Sequence, residues 1–256
     1  MPRRRRGGDT GRLGTRLRRR RQGLGALPRR AGHDRRRLAC REGGSLTVVP
    51  EPIERYAELH TTPPGDLLAR LAEETRAQLE SPQMMTGPIE GRFLQFLVWA
   101  LRPRRVLELG TYSGYSAVSM AAALPSGGHI DTCEVDETHA TVAGRYVEEA
   151  GYGDRVTIHL GPALETIEGL EGEFDFVFVD ADKVNYVVYY EALLPRLADG
   201  GLMAFDNTLW SGRVVEPDDS PATRTILELN DRLASDPGVV VVQLTVRDGI
   251  TLVRRA

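Results

Sequence analysis

The stretch that most constrains the fold of this chain runs from Val106 to Ser116 and reads VLELGTYSGYS. An apolar run typical of a β-strand carries a carboxylate at Glu108, a loop with Gly110 and Gly114 follows, and small residues typical of a helix come next. Glycines let the backbone pass close to a ligand, and the first N–H groups of the following helix are free to bind a polar group. The stretch therefore predicts the nucleotide-binding start of an open α/β sheet.

The glycine spacing in this loop is G-x-x-x-G rather than the G-x-G-x-x-G of dinucleotide-binding proteins. A pyrophosphate cradle is incomplete with this spacing, whereas a ligand without phosphates needs no such cradle. An ordinary tight turn between a strand and a helix is the alternative, and the glycines alone do not separate the two interpretations.

The rest of the chain predicts strands that alternate with helices. Strands are predicted at Arg105 to Leu109, His129 to Glu134, Arg155 to Leu160, Phe174 to Asp180, Gly201 to Asp206, Val239 to Leu244 and Ile250 to Arg254. Strands joined through helices pair in parallel, and the turn Arg247-Asp248-Gly249 predicts a closing hairpin. We expect an α/β fold whose seven-stranded, mostly parallel sheet has one antiparallel strand and helices on both faces.

The N-terminal part of the chain divides at about residue 45. Residues 1–45 hold 16 arginines against three acidic residues, a net charge of +13, which leaves −16 on residues 46–256. This segment has too little apolar content to fold alone. It is interpreted as a disordered basic arm for nucleic acid, as a presequence or, as we favour, as a misassigned start before residue 46.

Residues 46–256 are predicted to form one domain, with a helical part at 46–101 and a sheet core at 102–256. Three amphipathic helices between Pro52 and Leu101 are expected to cover the sheet and one edge of the site. The 41% hydrophobic content of the 256 residues suffices for one substantial core, and the chain has no run of eighteen apolar residues. Cys40 and Cys133 form neither a disulfide framework nor a zinc motif, which favours the cytoplasm.

Acidic residues end several of the predicted strands. Ligands bind beyond the carboxyl ends of the strands in open parallel sheets, so these side chains are expected to meet. Glu134 lies 24 residues after Gly110, close to the offset at which an acid binds a ribose diol. Capping of helices is the alternative role. The strand-end residues are Glu108, Glu134, Asp180, Asp206 and Asn207.

Asp180, Asp206 and Asn207 are predicted to form a magnesium site, because their strands are expected to be neighbours. Two carboxylates and an amide oxygen are hard ligands, too few to enclose calcium but suited to Mg²⁺ that keeps open positions. A turn at Asp206-Asn207 and a helix cap at Asp180 are the alternative.

Lys183 is the only lysine among the 33 basic residues of the chain. Arginine cannot lose its proton near neutral pH, so a lone lysine indicates a site that needs a titratable amine. A neighbouring dication is expected to lower the pKa of Lys183 into the range of a general base. The alternative is an ordinary surface lysine.

Four segments together resemble the class I S-adenosylmethionine-dependent, cation-dependent O-methyltransferases of the caffeoyl-CoA and catechol type. They read VLELGTYSGYSAVSMA, CEVD, FDFVFVDADKVNY and LLPRLADGGLMAFDNTLWSGRV. The resemblance implies a Rossmann-like class I methyltransferase fold, Mg²⁺ or another divalent cation at Asp180, Asp206 and Asn207, and a catalytic base at Lys183. It also implies that S-adenosylmethionine is bound by Thr86, Glu108, Gly110, Thr111, Ser116, Glu134, Ala163 and Asp182.

The function that this resemblance implies is methyl transfer to one hydroxyl of a metal-chelated vicinal diol, of catechol or caffeoyl type. A tRNA hydroxyuridine O-methyltransferase with the same catalytic set is the alternative, although a net charge of −16 on residues 46–256 repels phosphates. A nicotinamide-dependent oxidoreductase is a remote alternative, because it has no use for the acidic cluster.

Members of this family commonly form homodimers, so the resemblance also implies a dimer. Tyr186, Tyr189 and Tyr190 together with the leading helices are expected to supply an apolar interface. Burial of the three tyrosines in the core is the alternative.

Overall fold

A computed structural model describes residues 48–256, and within them one sheet of seven strands organises the chain. The predictions for residues 1–45, and Cys40, lie outside the described residues. The strands are β1 (Arg105–Leu109), β2 (His129–Glu134), β3 (Val156–Leu160), β4 (Phe174–Val179), β5 (Leu197–Phe205), β6 (Val239–Leu244) and β7 (Ile250–Arg255).

The strand order is β3-β2-β1-β4-β5-β7-β6. Strands β1 to β5 pair in parallel, and β7 lies antiparallel between β5 and β6. The predicted sheet with one antiparallel strand is therefore confirmed. The chain moves outward from β1 to β3 and then returns to build β4 and β5 on the other side, so the boundary between β1 and β4 is the switch point at which ligands bind.

Eight α-helices connect and flank the strands within the described residues. They are α1 (Glu51–Leu59), α2 (Asp66–Gln78), α3 (Gly87–Leu101), α4 (Tyr115–Ala121), α5 (Glu137–Glu149), α6 (Ala163–Gly169), α7 (Tyr186–Leu193) and α8 (Pro221–Ser235). Helix α6 was missed by the sequence analysis, since two turns of helix are too short for a clear apolar period. No helix in residues 48–256 has both the length and the apolar character needed to cross a bilayer.

Successive side chains of the central strands point to opposite faces of the sheet and pack into two separate apolar layers. Leu107, Val177 and Phe205 belong to the layer that contains α7 and α8. Val106 and Phe176 belong to the layer that contains α3 and α4. Because both faces are covered, the central strands read as nearly continuous apolar runs.

Helix α1 departs from the prediction that all three leading helices cover the sheet. None of its residues is buried, and Ile53, Tyr56 and Leu59 are 60%, 63% and 77% exposed. Its amphipathic pattern correctly predicted a helix but was wrong about burial, because the apolar period of a helix does not specify which surface the helix contacts.

Tyr186, Tyr189 and Tyr190 are buried in the core around Phe205. The prediction that they form a subunit interface is therefore wrong. Helix α7, which carries them, packs against α8 and the sheet, so the rings fill space between layers of one subunit.

Candidate active site

A cleft of about 1370 Å³ opens beyond the carboxyl ends of β1, β2, β4 and β5. Eleven of the twelve residues predicted for the site line this cleft, and Glu108 does not. The eleven are Thr86, Gly110, Thr111, Ser116, Glu134, Ala163, Asp180, Asp182, Lys183, Asp206 and Asn207.

Gly110 allows the loop after β1 to lie against the end of β4. Its φ is +98°, and a Cβ added there would lie 2.2 Å from the carbonyl oxygen of Asp180. A side chain at this position is excluded by the protein's own backbone as well as by the left-handed conformation. The glycine that the sequence analysis assigned to ligand approach thus also holds two parts of the site together.

Glu108 lies beneath the loop, with no exposed surface. The Thr132 hydroxyl donates to Glu108 Oε2 at 2.5 Å, the Ser116 hydroxyl lies nearby, and Glu108 Oε1 has no hydrogen-bond partner. Burial raises the pKa of Glu108 to about 7, although the two hydroxyl groups act to lower it. The Thr111 and Thr132 hydroxyls lie 2.6 Å apart, so this buried network supports the cleft from below.

The Glu134 carboxylate is fixed by three backbone N–H groups at the end of β2. Tyr112 N–H donates to Oε2 at 2.6 Å, while the N–H groups of Val135 and Asp136 donate to Oε1 at 2.9 and 3.0 Å. The remaining lone pairs therefore have a defined direction, which suits recognition of a pair of hydroxyl groups.

Two aromatic side chains that the sequence analysis missed form a wall beside Glu134. The rings of Tyr112 and His139 make an edge-to-face contact with centroids 4.6 Å apart, and His139 Nδ1 lies 3.7 Å from Glu134 Oε1. Tyr112 has a φ of +48°, and its hydroxyl donates to the Glu80 carbonyl at 2.8 Å. The loop is thereby tied to the connection between α2 and α3.

Asp180 follows Val179 on β4, Asp206 follows Phe205 on β5, and Val179 pairs with Phe205. The two aspartates therefore lie side by side on adjacent strands, whose backbones are about 4.8 Å apart. Burial and the negative charge of Asp180 raise the pKa of Asp206 to about 7. Asp206 Oδ1 is buried without a hydrogen-bond partner. Asn207 has a φ of +56°, which turns the chain back over the cleft.

This group of oxygen atoms fits a divalent cation. Within residues 48–256, no group of three or more His, Cys, Asp and Glu side chains is arranged to hold a metal ion. The predicted set has only two such side chains and adds the Asn207 amide, so water or substrate oxygens have to complete the coordination. The unpartnered Asp206 Oδ1 and the repulsion between the two carboxylates both favour a bound cation.

Lys183 lies in the site with most of its side chain covered, rather than on the surface. Its Nζ donates to Asp180 Oδ1 at 2.8 Å and to the Ala181 carbonyl at 3.1 Å, and the side chain is 11% exposed. Burial lowers the pKa of Lys183, but Asp180, Tyr186 and Asp206 raise it more, so the net pKa lies above the ordinary value. This direction is opposite to the predicted fall, which depends on a cation at the carboxylates.

Three further predicted residues enclose the cleft in different ways. The Asp182 carboxylate accepts hydrogen bonds of 2.5 Å from the Tyr189 hydroxyl and from the Asn185 amide. Thr86 precedes α3 and Ala163 begins α6, and both are largely buried at the cleft wall. Tyr189 thus acts from the core by orienting a carboxylate of the site.

Glu90 and Arg247 were also missed. Glu90 is 1% exposed, and its Oε2 accepts a hydrogen bond of 3.2 Å from Arg247 Nη1. Burial and the charges of Asp206 and Asp180 raise the pKa of Glu90 well above its ordinary value. The two partners are 157 positions apart, so no local motif indicates their contact.

Comparison with known proteins gives one consistent family. A family model described as "O-methyltransferase" matches residues 59–256. The chain is 35% identical over 218 residues to caffeoyl-CoA O-methyltransferase 1 of Eucalyptus globulus, covering 80% of this chain and 82% of the relative. It is 40% identical over 185 residues to caffeoyl-CoA O-methyltransferase 2 of Zea mays, covering 67% and 70%.

Solved structures agree with this result. A Podospora anserina methyltransferase bound to SAH superimposes with a TM-score of 0.76 at 29% identity, covering 84% of this chain and all of the other. An O-methyltransferase from Bacillus cereus in complex with SAH gives a TM-score of 0.73 at 30% identity, covering 80% and 97%.

The buried Glu108 leads to a prediction for stability. Its pKa in the folded protein is about 7 against an ordinary value of 4.5, so the folded state holds a proton that the unfolded state releases between these pH values. Wild-type stability should therefore lose up to about 3 kcal/mol from this group as the pH rises from 4.5 to above 7. Glu108→Gln removes the titration.

We expect urea unfolding to show that the free energy of unfolding of Glu108→Gln, relative to that of wild type, rises by about 2 to 3 kcal/mol between pH 5 and pH 8. The exposed Glu168→Gln exchange is the control and should show no such trend. A difference between Glu108→Gln and wild type that is constant with pH would contradict the assignment.

Proposed function

This chain belongs to the class I S-adenosylmethionine-dependent O-methyltransferases, in the caffeoyl-CoA O-methyltransferase family, and on that premise we propose that it methylates one hydroxyl of a metal-chelated vicinal diol. The described sheet is the Rossmann-like fold of this class, as predicted. The observation that carries the proposal is the 2.8 Å ion pair of the chain's only lysine with Asp180, beside the buried carboxylate of Asp206.

The Glu134 end of the cleft is proposed to hold the nucleoside part of S-adenosylmethionine. The oriented carboxylate of Glu134 is suited to accept hydrogen bonds from both ribose hydroxyls. Gly110, Thr111 and Ser116 are proposed to face the methionine part, above the buried Glu108. Thr86, Ala163 and Asp182 complete the proposed pocket.

Asp180, Asp206 and Asn207 are proposed to hold Mg²⁺ or another divalent cation. When bound there, the cation would hold the two adjacent oxygens of the diol and lower the pKa of the reacting hydroxyl. The support is the buried and unpartnered Asp206 Oδ1 beside the second carboxylate.

Lys183 is proposed to accept the proton of the reacting hydroxyl. Positive charge placed on Asp180 and Asp206 would offset the two carboxylates that raise the pKa of Lys183, and burial would then lower it. With the hydroxyl proton on Nζ, the oxygen bonds to the methyl carbon as the bond between that carbon and sulfur breaks. The products are a methyl ether and S-adenosylhomocysteine.

The size of the cleft supports a reaction between two bound molecules. Its volume of about 1370 Å³ exceeds the roughly 300 to 1,000 Å³ that is usual for one ligand. Holding both reactants in alignment supplies up to about 7 to 11 kcal/mol of the acceleration. We propose a small-molecule acceptor rather than RNA, because residues 46–256 carry a net charge of −16 that repels phosphates.

Removal of the cation tests the function as a whole. We expect methyl transfer to catechols or hydroxycinnamoyl thioesters in the presence of Mg²⁺, and its loss in EDTA, while S-adenosylhomocysteine still binds in calorimetry. Asp206→Asn should have the same effect as the chelator, whereas exchange of the exposed Asp199 for Asn should have none. Full activity in EDTA would rule out the metal assignment.

The role of Lys183 is tested by a substitution that conserves its charge. Arginine can still offset the carboxylates but cannot accept a proton at working pH, so Lys183→Arg should reduce turnover about 10²- to 10⁴-fold. Binding of S-adenosylhomocysteine should not change. A purely electrostatic lysine instead predicts that Lys183→Arg stays near wild type while Lys183→Met loses activity, and steady-state kinetics of the two variants separate these outcomes.

We further propose a homodimer, now through the exposed faces of α1 and α3 rather than through the buried tyrosines. Ile53, Tyr56 and Leu59 on α1 and Phe96 and Trp99 on α3 are exposed apolar side chains on neighbouring helices, which is typical of an interface. Light scattering at micromolar concentration should give the mass of a dimer, and Tyr56→Ser combined with Trp99→Ser should shift it toward a monomer. A monomeric wild type would exclude this assembly.

A further inference from the structure

The loop between β6 and β7 reaches across the carboxyl edge of the sheet and places Arg247 in the cleft. We propose that Arg247 is a positioning residue that fixes the acceptor side of the cleft by tying α1 and the start of α3 to this hairpin. The proposal rests on the function proposed above and assigns a role to a residue that makes no contact with the reacting atoms in that mechanism.

The sheet order places Arg247 on the acceptor side. Strand β7 pairs with β5 through Phe205 and Thr251, so the hairpin loop lies beside the carboxyl end of β5. Glu134 ends β2, on the other side of β1 and β4. The ends of β4 and β5, with the proposed metal ligands, therefore lie between the nucleoside end of the cleft and Arg247.

One guanidinium group contacts two segments that are distant from each other in sequence, the start of α3 and helix α1. Arg247 Nη1 donates to Glu90 Oε2 at 3.2 Å and to the Met85 carbonyl at 3.5 Å. Arg247 Nε lies 3.7 Å from Glu54 Oε1 on α1. Since α1 buries none of its own residues, the ion pair with Glu54 is a specific link between this helix and the body of the protein.

Among the contacts of Arg247, the hydrogen bond to Glu90 is the most costly to break. Glu90 is 1% exposed, its Oε1 has no hydrogen-bond partner, and its neighbours include the carboxylates of Asp206 and Asp180. A buried carboxyl oxygen that loses its hydrogen-bond donor is costly, so Arg247 has a defined place to which its guanidinium group is held. The arginine is therefore anchored on α3, and its other contacts are positioned from there.

Two unusual backbone conformations meet at this contact. Arg247 has a φ of +48°, which a long side chain rarely adopts. Gly87 has a φ of +78°, and a Cβ there would lie 3.3 Å from Arg247 Nη1. Strained conformations persist where surrounding contacts fix them, often at functional sites. Both segments are thus shaped to bring the guanidinium group against the start of α3.

The segments that Arg247 holds form the acceptor wall. Met84, Met85 and Glu54 line the cleft together with Trp210 from the loop after β5. Release of Arg247 would let α1 and the Met84–Met85 segment move, while Glu134 keeps its three backbone hydrogen bonds. Loss of Arg247 should therefore weaken acceptor binding and leave cofactor binding unchanged.

The test compares Arg247→Met and Arg247→Lys with Arg232→Met as a matched control. Arg232 forms an exposed ion pair of 2.6 Å with Glu191 and does not line the cleft. Arg247→Met should lower kcat/KM for a catechol acceptor about 10- to 100-fold through a higher KM, with about 10²-fold as the upper limit for a displacement of about 1 Å. The dissociation constant of S-adenosylhomocysteine should stay within twofold, Arg247→Lys should recover part of the loss, and the control should match wild type.

A second readout does not depend on turnover. Hydrogen exchange should become faster in residues 51–59 and 84–85 of Arg247→Met, and should not change in residues 105–109. Glu54→Gln should accelerate only residues 51–59, which keeps the test usable if Arg247→Met folds poorly. A wild type that methylates no diol would contradict the proposed function but leave this exchange pattern as a separate result.

An unchanged acceptor KM in Arg247→Met would overturn the proposal. So would a parallel loss of S-adenosylhomocysteine binding, acceptor binding and thermal stability, because Arg247 would then be a general structural residue. Unchanged exchange in residues 51–59 in both Arg247→Met and Glu54→Gln would overturn the link to α1.

Discussion

The electrostatic constraint on which the rest of this structure depends is the placement of Asp180 and Asp206 side by side at the ends of two parallel strands. Two carboxylates at this separation repel each other, and the burial of Asp206 adds to the cost of its charge. Lys183 compensates Asp180 directly, but Asp206 Oδ1 keeps no partner. A cation at this point would neutralise the excess negative charge, and Lys183 is close enough for the cation to change its pKa.

The two ends of the cleft are built by different means. Backbone N–H groups of consecutive residues fix Glu134, and Gly110 packs the neighbouring loop directly on the backbone of β4. The opposite end depends on side chains from distant segments, among which Arg247 and Glu90 are central. The backbone-built end, which is proposed for the cofactor, has one fixed shape. The wall of loop and helix side chains, which is proposed for the acceptor, can differ between proteins of one fold.

The core supports the site through polar groups as well as by packing. Tyr189 is buried in the apolar layer but presents its hydroxyl to Asp182, and Thr132 beneath the loop donates to Glu108. Such groups are costly to bury without partners, so each position is restricted both by packing and by hydrogen bonding. Changes in these residues should affect stability and ligand geometry together.

The sequence by itself determined the strands and the edge at which the site lies. Strands β1 and β2 have the predicted bounds, because the mostly apolar β1 stops before Gly110 and β2 stops at the acidic residue Glu134. The meeting of Asp180, Asp206 and Lys183 followed from the parallel order. Only the tertiary structure decided that Glu108 lies below the cleft, that α1 leaves its apolar face exposed, and that Arg247 meets Glu90. These features depend on contacts between distant segments and on the burial that results, and neither is encoded in local spacing.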